Sequence, residues 1–112
     1  MKFLALLYST EGQDDVDFET LVAQHHGFQE AARSAGVLAD SNALQPTSFT
    51  QTVRVRDKVP TLSGSPNSDS KEQLGGYYLL DCNDAKGAVD WANKIPTARY
   101  GTVELRPIAV FD

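Results

Sequence analysis

The chain has 112 residues, of which 41% are hydrophobic and 22% charged, and this composition is typical of one globular domain spanning residues 1–112. Ten basic against fifteen acidic residues give a net charge of −5, which disfavours nucleic acid and anionic membrane surfaces as partners. The single cysteine, Cys82, excludes an intrachain disulfide and favours a reducing compartment, so we expect a cytoplasmic protein. No metal-ligand spacing is present, and we expect no cofactor.

The first part of the chain predicts one strand and one long helix. The apolar run within residues 1–8 is too short for a secretory signal, so it is interpreted as a strand. Asp14 or Asp15 is expected to cap a helix over residues 15–36, in which apolar side chains recur every three or four residues. Gly36 is expected to end that helix in a left-handed conformation.

The middle of the chain predicts two strands separated by a long connection. Residues 49–56 alternate between apolar side chains such as Val53 and basic ones such as Arg54, which is typical of a strand with one polar face. Residues 57–74 are rich in serine and longer than an ordinary structureless connection. They are therefore functional, mobile, or contain a small hairpin. Residues 76–82 are apolar on both faces and predict a buried strand.

The last part of the chain predicts a second helix and a final strand. Asn83 or Asp84 is expected to cap the helix, and Pro96 to end it. Residues 102–110 alternate as a strand does. The order of strand, helix, strand, strand, helix, strand predicts an α+β, ferredoxin-like fold. Its four-stranded antiparallel sheet has the first and third strands in the middle and both helices on one face.

Two helices cover only one face of such a sheet. Because the central strands are apolar on both sides, alternate residues such as Leu4 and Leu79 would remain in water if they pointed away from the helices. Several hundred Å² of apolar surface, at roughly 25 cal/mol per Å², supplies on the order of 10 kcal/mol of driving force before the cost of association. We therefore predict a homodimer packed sheet to sheet with two-fold symmetry.

Several segments of the chain share a pattern with a known family. The pattern comprises KEQLGGYY at residues 71–78, ARYGTVELRP at 98–107, and shorter matches at 44–46 and 52–54. It resembles the YCII-related proteins, specifically the DGPF-domain branch, and covers essentially the whole chain. The resemblance implies a bacterial protein with the dimeric α/β-barrel form of the ferredoxin-like fold. It also implies a regulatory link to an alternative sigma factor.

The chain departs from the pattern of these relatives at two places. Residues 64–67 are Gly-Ser-Pro-Asn where the branch has Asp-Gly-Pro-Phe. The resemblance also implies a dyad of a histidine and an aspartate, and His25 stands at the histidine's spacing from Gly36. The aspartate's position, before the proline that follows the second helix, is Ile95. Loss of that carboxylate weakens a general acid/base role, because an imidazole needs a partner to fix its tautomer.

Four side chains are candidates for a functional site, each with a structural alternative. His25 is either an acid/base or hydrogen-bonding group in a ligand cleft, or a partly buried histidine bonded to a backbone carbonyl. The guanidinium groups of Arg54 and Arg106 either hold a ligand carboxylate or form surface ion pairs. Tyr78 either lines the ligand cleft or serves core packing.

Two functions from different classes remain open. We favour a non-catalytic homodimer that binds a small molecule or a protein and has a regulatory role, because both the dyad carboxylate and the motif aspartate are missing. The alternative is a cofactor-independent lyase, isomerase or hydrolase acting on a small organic acid. In that case His25 would move a proton and Arg54 or Arg106 would hold the acid.

Overall fold

The computed structural model describes residues 1–12 and 16–111 of the chain. A short 3₁₀ helix at Thr47–Phe49 lies between the second and third strands. The strands and helices are, in chain order, β1 (Lys2–Thr10), α1 (Phe18–Ser34), β2 (Leu38–Ala43), β3 (Thr52–Arg56), β4 (Val59–Ser63), β5 (Glu72–Asp81), α2 (Ala85–Ala92), α3 (Thr97–Tyr100) and β6 (Thr102–Pro107).

Four of these strands form one antiparallel sheet in the order β2-β5-β1-β6. The two central strands, β1 and β5, are the two that the sequence predicted to be apolar on both faces. The sheet and its strand order confirm the predicted α+β, ferredoxin-like fold. The association of two such sheets into a dimeric barrel stays a prediction.

The hydrophobic core lies between one face of this sheet and the helices. Alternate residues of β1 and β5 point to this face, where they meet side chains from α1 and α2. The free cysteine, Cys82, is buried here as a small apolar side chain. The buried core residues are Phe3, Ala5, Leu7, Phe28, Ala32, Tyr78, Leu80, Cys82, Ala88, Ala92 and Ile95.

The strand beside β5 at the edge of the sheet is β2, and the prediction that residues 49–56 fill this place is wrong. The sequence of β2, LADSNA, lacks the β-branched and aromatic residues that favour strands. The strand forms because its backbone pairs with β5, in spite of its low strand propensity. Two side-chain hydrogen bonds reinforce the pairing, since Asn42 Nδ2 donates to the Tyr77 hydroxyl at 2.9 Å and that hydroxyl donates to Asp40 Oδ2 at 3.0 Å.

Strand β3, within the segment predicted as 49–56, pairs with β4 in a separate two-stranded hairpin. The connecting residues Asp57 and Lys58 have φ angles of 50° and 65°, as the two central residues of a type I′ turn require. The hairpin within residues 57–74 was one of three alternatives left open by the sequence. Val53 lies opposite Leu62 on one face of the hairpin, and these side chains are 66% and 67% exposed.

The helix ends follow local hydrogen bonding. Helix α1 begins later than expected, because Asp17 is its N-cap and Asp17 Oδ1 accepts from Thr20 N at 2.8 Å. The expected caps Asp14 and Asp15 lie outside the described residues. Gly36 has a φ of 71°, which confirms the left-handed conformation expected there. Asp84 caps α2 by accepting from Gly87 N at 2.8 Å, so this expected cap is also confirmed.

Three details near the C-terminus differ from the sequence-based expectation. Helix α2 ends at Ala92 and not at Pro96, and the short helix α3, which was not predicted, follows Pro96. Strand β6 ends at Pro107 rather than at residue 110, since residues 108–111 form no strand. The partner strand β1 begins at Lys2, and the last hydrogen bond between the two strands is from Ile108 N to the Lys2 carbonyl oxygen at 2.9 Å.

Gly76 lies where β2 approaches β5 most tightly, and we expect its replacement by alanine to destabilise the fold. A Cβ atom there would lie 2.8 Å from the carbonyl oxygen of Asn42, whereas at the neighbouring Gly75 the nearest atom is 3.9 Å away. Gly76→Ala is expected to lower the free energy of unfolding by about 1–3 kcal/mol through overpacking. Gly75→Ala should leave it nearly unchanged. Urea denaturation of both variants measures the difference, and equal stabilities would contradict the tight approach.

Candidate ligand-binding site

A cavity of about 550 Å³ lies between α1 and the part of the sheet where β2 and β5 pair. Phe18, Leu21 and Val22 of α1 form an apolar wall, and Leu7 and Gly76 contribute from the strands. Cavities of this size and composition are typical of small-molecule sites. Two residues that the sequence proposed for a ligand cleft, His25 and Tyr78, line this cavity, and ligand binding there stays a prediction.

His25 and Tyr78 meet inside this cavity. His25 projects from α1 and Tyr78 from β5, and His25 Nδ1 lies 2.7 Å from the Tyr78 hydroxyl oxygen. The two rings are stacked, with their centroids 6.0 Å apart. The structure therefore brings together two of the four side chains that the sequence singled out. The alternative expected for His25 was a hydrogen bond to a backbone carbonyl. In the structure the partner of Nδ1 is the hydroxyl group of Tyr78.

Two further side chains complete a hydrogen-bonded set, which we call the His25 cluster (His25, Gln29, Tyr78 and Thr97). Gln29 Nε2 donates to the Tyr78 hydroxyl oxygen at 3.2 Å, which leaves the hydroxyl proton for His25 Nδ1. A neutral His25 that accepts at Nδ1 carries its own proton on Nε2. Nε2 lies 3.5 Å from Thr97 Oγ1, so this last contact is long.

Burial keeps both rings of the cluster uncharged near neutral pH. Desolvation lowers the pKa of His25, and the neighbouring His26 lowers it further. Desolvation also raises the pKa of Tyr78, an effect that the hydrogen bond from Gln29 partly opposes. A neutral imidazole beside a protonated phenol can exchange hydrogen bonds with a ligand, but it offers no fixed charge.

Comparison with known proteins identifies the family of this chain. The family model of the YCII-related domain matches residues 1–112. The chain belongs to the YCII-related family. An uncharacterized protein of Rhizobium meliloti (strain 1021) is 34% identical over 79 residues, which cover 69% of this chain and 64% of that protein. The match thus spans less than two thirds of that relative's length. The resemblance found in the sequence is confirmed at the level of the family.

Ile95, the position where the YCII-related resemblance implies the dyad aspartate, is fully buried in the hydrophobic core. The polar partners of His25 come from other positions. Tyr78 contacts Nδ1, and Thr97, two residues beyond Ile95, faces Nε2. The imidazole of this family member is therefore oriented by two hydroxyl groups instead of a carboxylate.

Arg54 and Arg106 do not line the cavity beside His25. Arg54 lies on β3, where its guanidinium donates to the side-chain oxygen of Asn67. Arg106 lies on β6 and is 3.8 Å from the carboxylate of Glu104, with both side chains largely exposed. The structure does not bring these two residues to His25 and Tyr78, and their role in ligand binding stays a prediction.

Gln29 and Thr97 were not identified from the sequence. Gln29 follows His25 by four positions on α1, and this spacing places two side chains on one helix face, so a local signal existed. Thr97 lies far from His25 in the chain and gave no such signal. Its position depends on how α3 packs against the sheet.

Two other kinds of site were considered over residues 1–12 and 16–111. No helix in these ranges is long and apolar enough to span a membrane. The same residues contain no group of three or more histidine, cysteine, aspartate or glutamate side chains arranged to hold a metal ion.

We expect the burial of neutral His25 to make the protein less stable as the pH falls. The folded-state pKa lies below the ordinary value of 6.5, so the unfolded chain takes up the proton first. The free energy of unfolding should therefore decrease as pH falls below about 6.5, and this loss should end below the folded-state pKa. Urea denaturation at a series of pH values measures it. His25→Gln should remove this component and His26→Gln should keep most of it; the same pH dependence in all three proteins would contradict the assignment.

Proposed function

We propose that this chain is a non-catalytic module that binds a small molecule in the cavity beside His25. The observation that carries the proposal is the His25 cluster at one side of an otherwise mostly apolar cavity. Small-molecule sites commonly combine apolar walls, which supply binding energy, with a few placed polar groups, which orient the ligand. Leu7, Leu21 and Val22 would serve the first purpose, and the cluster would serve the second.

The hydrogen bonds of His25 favour binding over catalysis. A general base needs a free lone pair at the reacting atom, but Nδ1 lies 2.7 Å from the Tyr78 hydroxyl oxygen, and in the tautomer in which this hydroxyl donates, the Nδ1 lone pair is already occupied. The carboxylate that would stabilise an imidazolium is replaced by the apolar side chain of Ile95. Protonation of His25 would therefore create a partly buried cation with only hydroxyl partners.

A second candidate function is catalysis of a proton transfer by His25, in a cofactor-independent lyase, isomerase or hydrolase of a small organic acid. One observation favours it. The lowered pKa keeps His25 neutral at neutral pH, which is the protonation state that a base requires. Such chemistry would first require a ligand to displace the hydroxyl of Tyr78 from Nδ1.

A ligand screen on matched histidine variants tests the binding function. We expect at least one compound from a panel of lactones, aromatic acids and small carboxylates to raise the melting temperature of the wild type and of His26→Ala, but not of His25→Ala. Both histidines line the cavity, but only His25 belongs to the His25 cluster. Comparing the two variants therefore separates the loss of the cluster from the loss of any histidine in the cavity wall. A hit that all three proteins share would place binding elsewhere. Turnover of a hit by the wild type would favour the enzyme.

We further propose that the module is a homodimer that buries the uncovered face of its sheet. Leu4 lies opposite Leu79 and Leu6 opposite Tyr77 in the pairing of β1 with β5, and these residues alternate with the buried ones that face the helices. This apolar face is a surface of the kind that monomers rarely leave exposed. We also propose that the protein acts in a reducing compartment. A regulatory link to a sigma factor, which the resemblance implies, is part of the same proposal.

Leu79→Asp is expected to convert the dimer to a monomer. Leu79 points away from the helices, so its charge should leave the core of one copy intact while opposing burial of the face. Ala23→Asp is the matched control, because it places the same charge on an exposed position of α1. Sedimentation at micromolar concentration measures the mass, and circular dichroism measures folding. A folded Leu79→Asp variant that remains dimeric, or a monomeric wild type, would show that this face is not the interface.

A further inference from the structure

The described lining of the cavity beside His25 carries no permanent charge. It includes no arginine, lysine, aspartate or glutamate. Residues 13–15, which precede α1, are glutamine and two aspartates, so they contain no basic side chain. The chain therefore brings no permanent cation to the cavity from its described lining or from that segment.

Arg99 is the basic residue nearest in sequence to the cavity lining, but its position does not serve the cavity. It follows Thr97 by two positions in α3, and residues two apart on a helix do not face the same side. Arg99 is exposed and is not among the lining residues. The imidazole of His25 does not replace the missing cation, since burial lowers its pKa.

The N-terminal end of α1 also does not offer an anion-binding site. Phe18, the first residue of α1, lines the cavity, and the N-cap Asp17 precedes it. The Asp17 carboxylate accepts from Thr20 N at 2.8 Å and from the Thr20 hydroxyl at 3.0 Å. These hydrogen bonds lower the pKa of Asp17 and keep it negative. An anionic ligand would meet this charge instead of the free positive end of the helix dipole.

We infer that the cavity takes an uncharged, largely apolar ligand bearing a carbonyl oxygen, such as an amide, ester, lactone or ketone. The carbonyl would accept a hydrogen bond from His25 Nε2, whose contact with Thr97 is long at 3.5 Å and open to replacement. A carboxylate in that place would lose its hydration without gaining a cation, and such burial is unfavourable. The inference rests on the proposed binding function, and it differs from the organic acid expected from the sequence.

Pairs of molecules that differ in charge but not in shape test this inference. The probes are primary amides and their matching carboxylates, for example 2-naphthamide and 2-naphthoate, titrated at neutral pH into the full chain. Amide and carboxylate groups have nearly the same size, so a difference in affinity reports on charge. Two-dimensional NMR measures the dissociation constant and also locates the bound probe through the shifts of Gln29 and Thr97.

We expect the amides to bind at least about tenfold more tightly than the carboxylates. A Val22→Arg variant, which adds a cation to the cavity wall, should narrow or reverse this preference, whereas Val22→Met should preserve it. Carboxylates that bind as tightly as their amides would overturn the ligand class and leave the binding function standing. Failure of both classes to shift the cluster residues would contradict the binding function itself, and the ligand class with it.

Discussion

The fold and the candidate site both depend on the pairing of β1 with β5. In this register Ala5 lies opposite Tyr78, and Leu4 lies opposite Leu79. Because side chains alternate along a strand, this register sends Tyr78 toward the helices and Leu79 toward the uncovered face. A slip of one residue would exchange the two faces. It would turn the Tyr78 hydroxyl away from His25.

The Tyr78 hydroxyl organises the cavity because it links the helix to the sheet. It receives a hydrogen bond from Gln29 and meets Nδ1 of His25, so two positions one turn apart on α1 bind a single atom of β5. Burial shifts the pKa values of His25 and Tyr78 in opposite directions, and both shifts favour the neutral forms. Such a cavity offers hydrogen bonds and apolar contact but no fixed charge, and the proposal of an uncharged ligand follows from this.

The elements that were predicted correctly are those with a strong local pattern. Strands β1 and β5 contain apolar runs, although β5 begins at Glu72, four residues before the predicted strand at 76–82. Helix α2 has a capping aspartate followed by an apolar stripe. Strand β2 was missed because its residues are polar and its pairing is not local. The hairpin was only one of several alternatives, since its turn lacks the usual glycine. Hydrogen bonds from the side chains of Thr52 and Arg54 to Ser65 and Asn67 connect this hairpin to residues 64–67, the segment that departs from the resemblance.

The sequence alone determined the family, the central strands β1 and β5 with the two main helices, and the choice of His25 and Tyr78 as candidates, because these follow from residue type and from short-range periodicity. The tertiary structure decided which groups meet. It joined His25 to Tyr78 and Thr97, positioned Ile95 in the core, and left Arg54 and Arg106 outside the cavity. These contacts join residues distant in the chain, and their geometry is set by strand register and helix packing, which no local pattern encodes.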